Sequence, residues 1–142
     1  MINMKNTSFI ILFLIYATFS CSKNSSGNET VDDSKSALYG KWEWIESKGG
    51  ISGNNLITPN SSNKTVYLEI TNNKIMRFEN GVVTATISYT IESKRSIFTG
   101  VLAQMIVYNQ DSQVQQSFEI SNNNLKLNDE CPDCFKHFYI RK

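Results

Sequence analysis

The residues best equipped for chemistry stand close together near the C-terminus: Cys131-Pro132-Asp133-Cys134, followed by His137, the only histidine of the chain. Three chemistries fit this spacing. The thiols could close a structural disulfide, with a limited entropic gain because the enclosed loop is short. They could be a redox pair, but a reactive Cys-x-x-Cys sits at a helix start that lowers the thiol pKa, and here the pair joins two stretches of strand pattern. Cys131, Cys134 and His137 could hold zinc, but a closed site needs a fourth ligand, which only Asp129 or Asp133 would offer, and poorly. The disulfide is the preferred reading, with no metal and no cofactor expected.

The rest of the chain adds no catalytic motif. There is no Gly-x-Ser-x-Gly elbow, no phosphate loop and no His-Glu-x-x-His. Glu43, Glu46, Glu69, Glu79, Glu92 and Glu119 fall mostly on faces expected to be solvated. The expectation is therefore a protein that is not an enzyme. Without the first 21 residues, thirteen Lys and Arg balance thirteen Asp and Glu. With no basic stripe, nucleic acid is not an expected partner.

The elements that must position these residues read as strands. In the stretch Leu38-Tyr39-Gly40-Lys41-Trp42-Glu43-Trp44-Ile45, alternation puts Leu38, Gly40, Trp42 and Trp44 on one face. Two inward indoles require a wide core. Period-two patterns recur over 66–70, 75–79, 83–91, 114–120, 125–127 and 135–141, and 96–108 is apolar on both faces, with Gly100 expected to kink it. Asn80-Gly81 is a strong hairpin signal, because both residues tolerate positive φ. Eight short antiparallel strands can close into an up-and-down barrel and remove their edges; a β-sandwich is the alternative. The inward set is read as Trp44, Leu68, Phe78, Ile87, Tyr89, Val101, Met105 and Phe118, which would line a pocket or fill the core. The Gly-, Asn- and Ser-rich stretch 49–63 reads as a long loop, either anchored by its own apolar residues or lying over the barrel mouth.

The N-terminus reads as an export signal. Lys5 precedes a short apolar run over 9–19, too short to cross a bilayer. Ser20-Cys21 then resembles a lipoprotein processing site, which would leave Cys21 as the lipidated first residue. Ser22 resembles a signal for the outer membrane, and the acidic cluster of surface-export signals is missing, which favours the periplasmic face. Residues 22–36 are polar and read as a flexible tether, with a single helical turn possible from Asp33 or Ser34 to Leu38. Residues 37–142 form the folded domain.

Gly40-Lys41-Trp42 at the first strand resembles the Gly-x-Trp signature of the lipocalins, and 38–142 is similar to the small lipocalin-like lipoproteins of Bacteroidetes-type bacteria. The C-terminal Asp-Glu-Cys-Pro-Asp-Cys-Phe-Lys-His-Phe-Tyr-Ile-Arg-Lys resembles that family's ending. The resemblance implies a barrel with one closed end, where Arg141 would lie across the Trp42 indole. It also implies a monomeric, membrane-tethered envelope protein that binds a small hydrophobic or amphipathic molecule. The other reading is a structural or protein-interaction domain of the envelope.

Overall fold

A computed structural model describes residues 31–109 and 111–142. The expected signal segment, Cys21 and the linker up to residue 30 lie outside the described residues. The described chain is an antiparallel barrel. Strand β1 (Gly40–Gly49) is followed by β2 (Asn55–Ile57), β3 (Val66–Ile70), β4 (Lys74–Glu79), β5 (Val82–Arg95), β6 (Leu102–Tyr108), β7 (Asp111–Ser121), β8 (Asn124–Asp129) and β9 (Phe135–Arg141). Each strand from β3 to β9 pairs with the next, and β9 returns to β1. Eight strands close the barrel, and the long β1 makes this possible by pairing with β9 along one edge. Its other edge takes β3 at Gly40 to Glu43 and the added strand β2 at Ser47 to Gly49.

Short turns set this order. Asn80 and Gly81 have φ of 51° and 81° and join β4 to β5, the mirror-image turn whose twist matches a hairpin. The segment 49–63 is more ordered than a loop. It supplies β2 and a short helix α2 (Pro59–Ser62), which starts with proline and a reciprocal cap. Thr58 Oγ1 accepts from the Ser61 amide at 3.2 Å, and Ser61 Oγ accepts from the Thr58 amide at 2.8 Å. Both satisfy groups that a helix start leaves open. At the other end of the chain order, helix α1 (Val31–Leu38) occupies the last part of the expected linker, longer than the single turn anticipated.

The stretch 96–108 is two elements rather than one kinked strand. Strand β5 runs on to Arg95, the chain turns through 96–101, and β6 starts at Leu102. Gly100 lies in that turn, where its amide donates to the Ser96 carbonyl at 2.9 Å. The turn is held to the β8–β9 connection, because Glu130 accepts from Ser96 Oγ at 3.1 Å and from the Ile97 amide at 2.9 Å.

The apolar core fills the half of the barrel where β1 begins and β9 ends. Leu38, Trp42, Ile70 and Leu125 pack there, and Tyr89, Ile106, Phe118 and Leu127 extend the same buried cluster toward the middle of the barrel. Arg141 closes this end. Its guanidinium carbon lies 4.1 Å from the centre of the Trp42 ring. Its Nη1 donates to the Tyr39 carbonyl at 2.8 Å and its Nη2 to the Ala37 carbonyl at 2.6 Å. The Trp42 indole N–H donates to the Leu38 carbonyl at 2.8 Å. Together the two side chains take up carbonyls that the end of α1 leaves open. Gly40 lies beneath this arrangement with φ of 131°, and a Cβ there would stand 2.7 Å from Arg141 Nη1.

Candidate functional site

The opposite half of the barrel is not filled. It encloses a cavity of about 420 Å³. Trp44, Ile57, Val66, Leu68, Ile75, Ile87 and Phe135 form its apolar wall, and Ser47, Tyr108, Gln116, His137 and Tyr139 its polar one. Ile57, Ser62 and Lys64 bring the β2–α2 segment to the cavity as part of its lining. Lys64 and Arg77 also line it, and both pair with Glu79, at 2.5 and 2.8 Å. Hydrogen bonds from these two cations, Lys64 first, hold the Glu79 carboxyl below its usual pKa.

Apart from Tyr139, the polar wall is linked into one continuous chain of hydrogen bonds. A bulge in β1 makes it possible. The β1–β9 register shifts between Trp44 and Glu46, so one residue is extra on β1. Strict alternation would put Trp44 and Ser47 on opposite faces; the bulge brings both to the inside. Trp44 Nε1 then donates to Ser47 Oγ at 2.9 Å, and Ser47 Oγ lies 2.7 Å from His137 Nδ1. The other ring nitrogen, Nε2, meets Asp129 Oδ2 at 3.2 Å. Gln116 Nε2 donates to Asp129 Oδ1 at 2.6 Å, and the Tyr108 hydroxyl donates to Gln116 Oε1.

The direction of this chain follows from its charge. Burial alone would raise the pKa of Asp129, but hydrogen bonds from His137 and Gln116 outweigh it and hold the carboxyl below 3.8. An ionised carboxylate only accepts, so Nε2 of His137 carries the proton toward it. In the neutral ring Nδ1 is then an acceptor, and the Ser47 hydroxyl donates to it. Tyr108 and Tyr139 keep their protons, because burial pushes both phenols far up.

Three of the residues expected to line a pocket do so: Trp44, Leu68 and Ile87. The other five stand elsewhere. Phe78 faces outward and stacks on Tyr67, ring centres 4.3 Å apart. The register Ile70 to Ile75 makes Ile75 and Arg77 the inward residues of β4 and leaves Phe78 on the other face. Tyr89 and Phe118 belong to the packed core. The Tyr89 hydroxyl donates to the Thr71 carbonyl at 2.6 Å, and burial pushes its pKa up to about 12. Val101 is exposed in the β5–β6 turn. Met105 is buried but outside the core cluster, because Ile106 is the inward residue of β6 at that level.

Cys131 and Cys134 stand at disulfide distance in the turn before β9, their Cα atoms 5.6 Å apart. His137 points away from them into the cavity. Among the described residues no group of histidine, cysteine and carboxylate side chains is arranged to hold a metal ion. Of the hydrogen-bonded chain, sequence reasoning missed Ser47, Gln116 and Tyr108, together with the role of Asp129, and only the single histidine hinted at them; of the wall it also missed Ile57, Val66, Ile75, Phe135 and Tyr139. Compared with known proteins, the chain matches no family model, no curated protein and no solved structure.

Proposed function

We propose that this chain is a lipocalin-like binding module of the bacterial envelope, tethered to the outer membrane through a lipidated Cys21. It acts as a monomer and holds one small hydrophobic or amphipathic molecule in the open half of its barrel. The observation that carries the reading is the cavity of about 420 Å³, apolar on one wall and hydrogen-bonding on the other. Its size falls within the usual range of small-molecule sites, and its convergent polar groups would orient a ligand's head. A packed lower barrel beneath an unfilled upper one supports ligand binding over a purely structural role. The exposed side chains Ile97, Phe98, Val101 and Leu102 of the β5–β6 turn favour a second reading, an interaction surface for another envelope protein.

The test is native mass spectrometry of the protein purified from its own envelope. The expected result is a co-purifying small molecule, retained by the wild type and lost in Ile87→Trp, which fills the cavity from its wall. Ligand-free protein that also fails to take up an apolar fluorescent probe would refute the binding reading. A wild type recovered wholly in the soluble fraction would refute the anchor.

A further inference from the structure

A serine and a histidine meet on the inner wall of the cavity, and an aspartate meets the other nitrogen of the same imidazole: Ser47 on β1, His137 on β9 and Asp129 at the end of β8. We propose that these three form an acyl-transfer relay, with Ser47 as the nucleophile toward small hydrophobic esters that enter the cavity. The proposal rests on the reading that the cavity admits an apolar ligand, and adds a reaction to it.

Four features carry it. The β1 bulge re-aims Ser47 into the cavity beside Trp44, the kind of local irregularity that places a side chain next to a reactive site. The Ser47–His137 distance of 2.7 Å and the His137–Asp129 distance of 3.2 Å meet the requirement that a nucleophile touch its base and that a third group orient the base. The proton direction is also the one needed, from Ser47 Oγ to Nδ1, with Nε2–H held by the carboxylate. Finally, two further donors border the same part of the cavity. The Trp44 indole N–H lies 2.9 Å from Ser47 Oγ. The Tyr139 hydroxyl lines the same cavity opposite Trp44 in the β1–β9 register, and makes no hydrogen bond among the described residues. The apolar wall of Leu68, Ile75 and Ile87 would take the acyl group.

In the first step Ser47 Oγ forms a bond to the ester carbonyl carbon and gives its proton to His137 Nδ1. The carbon–oxygen bond to the leaving alcohol breaks, and that alcohol takes the proton from Nδ1. In the second step a water molecule from the cavity mouth attacks the acyl-serine and passes a proton to Nδ1. The carboxylic acid leaves, and the proton returns to Ser47 Oγ. No oxidant or reductant is needed.

The test treats the full chain with a fluorophosphonate bearing a short alkyl chain, and separately with p-nitrophenyl butyrate. One phosphonyl group on Ser47, found by peptide mass spectrometry, is expected. Release of p-nitrophenol should fall about a hundredfold or more in Ser47→Ala and His137→Gln. Ile87→Trp leaves the relay in place but blocks the cavity, and should lose the labelling as well. Entry is read independently, through quenching of tryptophan fluorescence by a non-cleavable ether analogue. If the analogue enters and Ser47 stays unlabelled, the relay is refuted while the binding reading stands. If neither occurs, both are refuted. Labelling or ester cleavage that persists in Ser47→Ala also overturns the relay.

Discussion

The two ends of this barrel solve opposite problems. At the closed end the Arg141 guanidinium lies over the Trp42 ring, and its Nη1 and Nη2 and the indole N–H all donate to backbone carbonyls. At the open end an indole of the same strand, Trp44, spends its N–H on a serine that leads to a histidine and a carboxylate around empty space. One end gains stability from contact and the other forgoes contact to keep groups available. Dense packing and a usable cavity exclude each other at the same place, so a small barrel divides them between its halves.

Substitutions can break or sharpen this division. The largest effect is expected at the closed end. Trp42→Ala should lose about 3–5 kcal/mol in urea denaturation, by leaving a cavity under Arg141 and removing the partner of Leu38. Ser47→Ala, at the open end, should lose only about 1–3 kcal/mol, chiefly by leaving the Trp44 N–H without its acceptor. Equal losses at the two sites would erase the distinction between a stabilising end and a working end.

A finer test concerns the stack itself. Arg141→Lys keeps the charge but loses the planar face and the fork that reaches two carbonyls. It should destabilise the fold by about 1–2 kcal/mol, and Trp42→Phe should do so too. In a double-mutant cycle the two should couple by about 0.5–2 kcal/mol. Additive losses would mean that the carbonyl contacts, and not the indole, fix Arg141.

The smallest effect is expected from the carboxylate of the open end. The pKa of Asp129 is held below 3.8 in the folded state. Its contribution to stability is therefore complete above pH 3.8 and is lost as pH falls from there through the lower folded value. Asp129→Asn should flatten the acid limb of the stability curve and leave its shape near neutrality unchanged. An unaltered acid limb would show that the carboxylate gains nothing from His137 and Gln116.

Much of the closed end was legible in the chain. Gly40, Trp42 and Arg141 stand out through the resemblance to the lipocalin Gly-x-Trp signature, and closure through β1–β9 brings them together. The Asn80-Gly81 turn and most strand patterns were legible too, because alternation and turn chemistry act within a few residues. The open end was far less so. Inward parity was misread for Phe78 and Met105, since a turn one residue longer or shorter exchanges the two faces of the next strand. The segment 49–63 read as loop because its order comes from β1 and from a cap at Thr58, not from periodicity.

The sequence by itself determined that this chain makes short antiparallel strands and where several of them turn. Those properties depend on near neighbours and on side-chain type. The tertiary structure alone decided that Ser47 joins His137, 90 positions away, and that Asp129 meets the other nitrogen of that imidazole. That meeting requires barrel closure to bring β1 beside β9. It also requires a bulge that breaks the alternation between Trp44 and Ser47, which no local pattern of polar and apolar residues encodes.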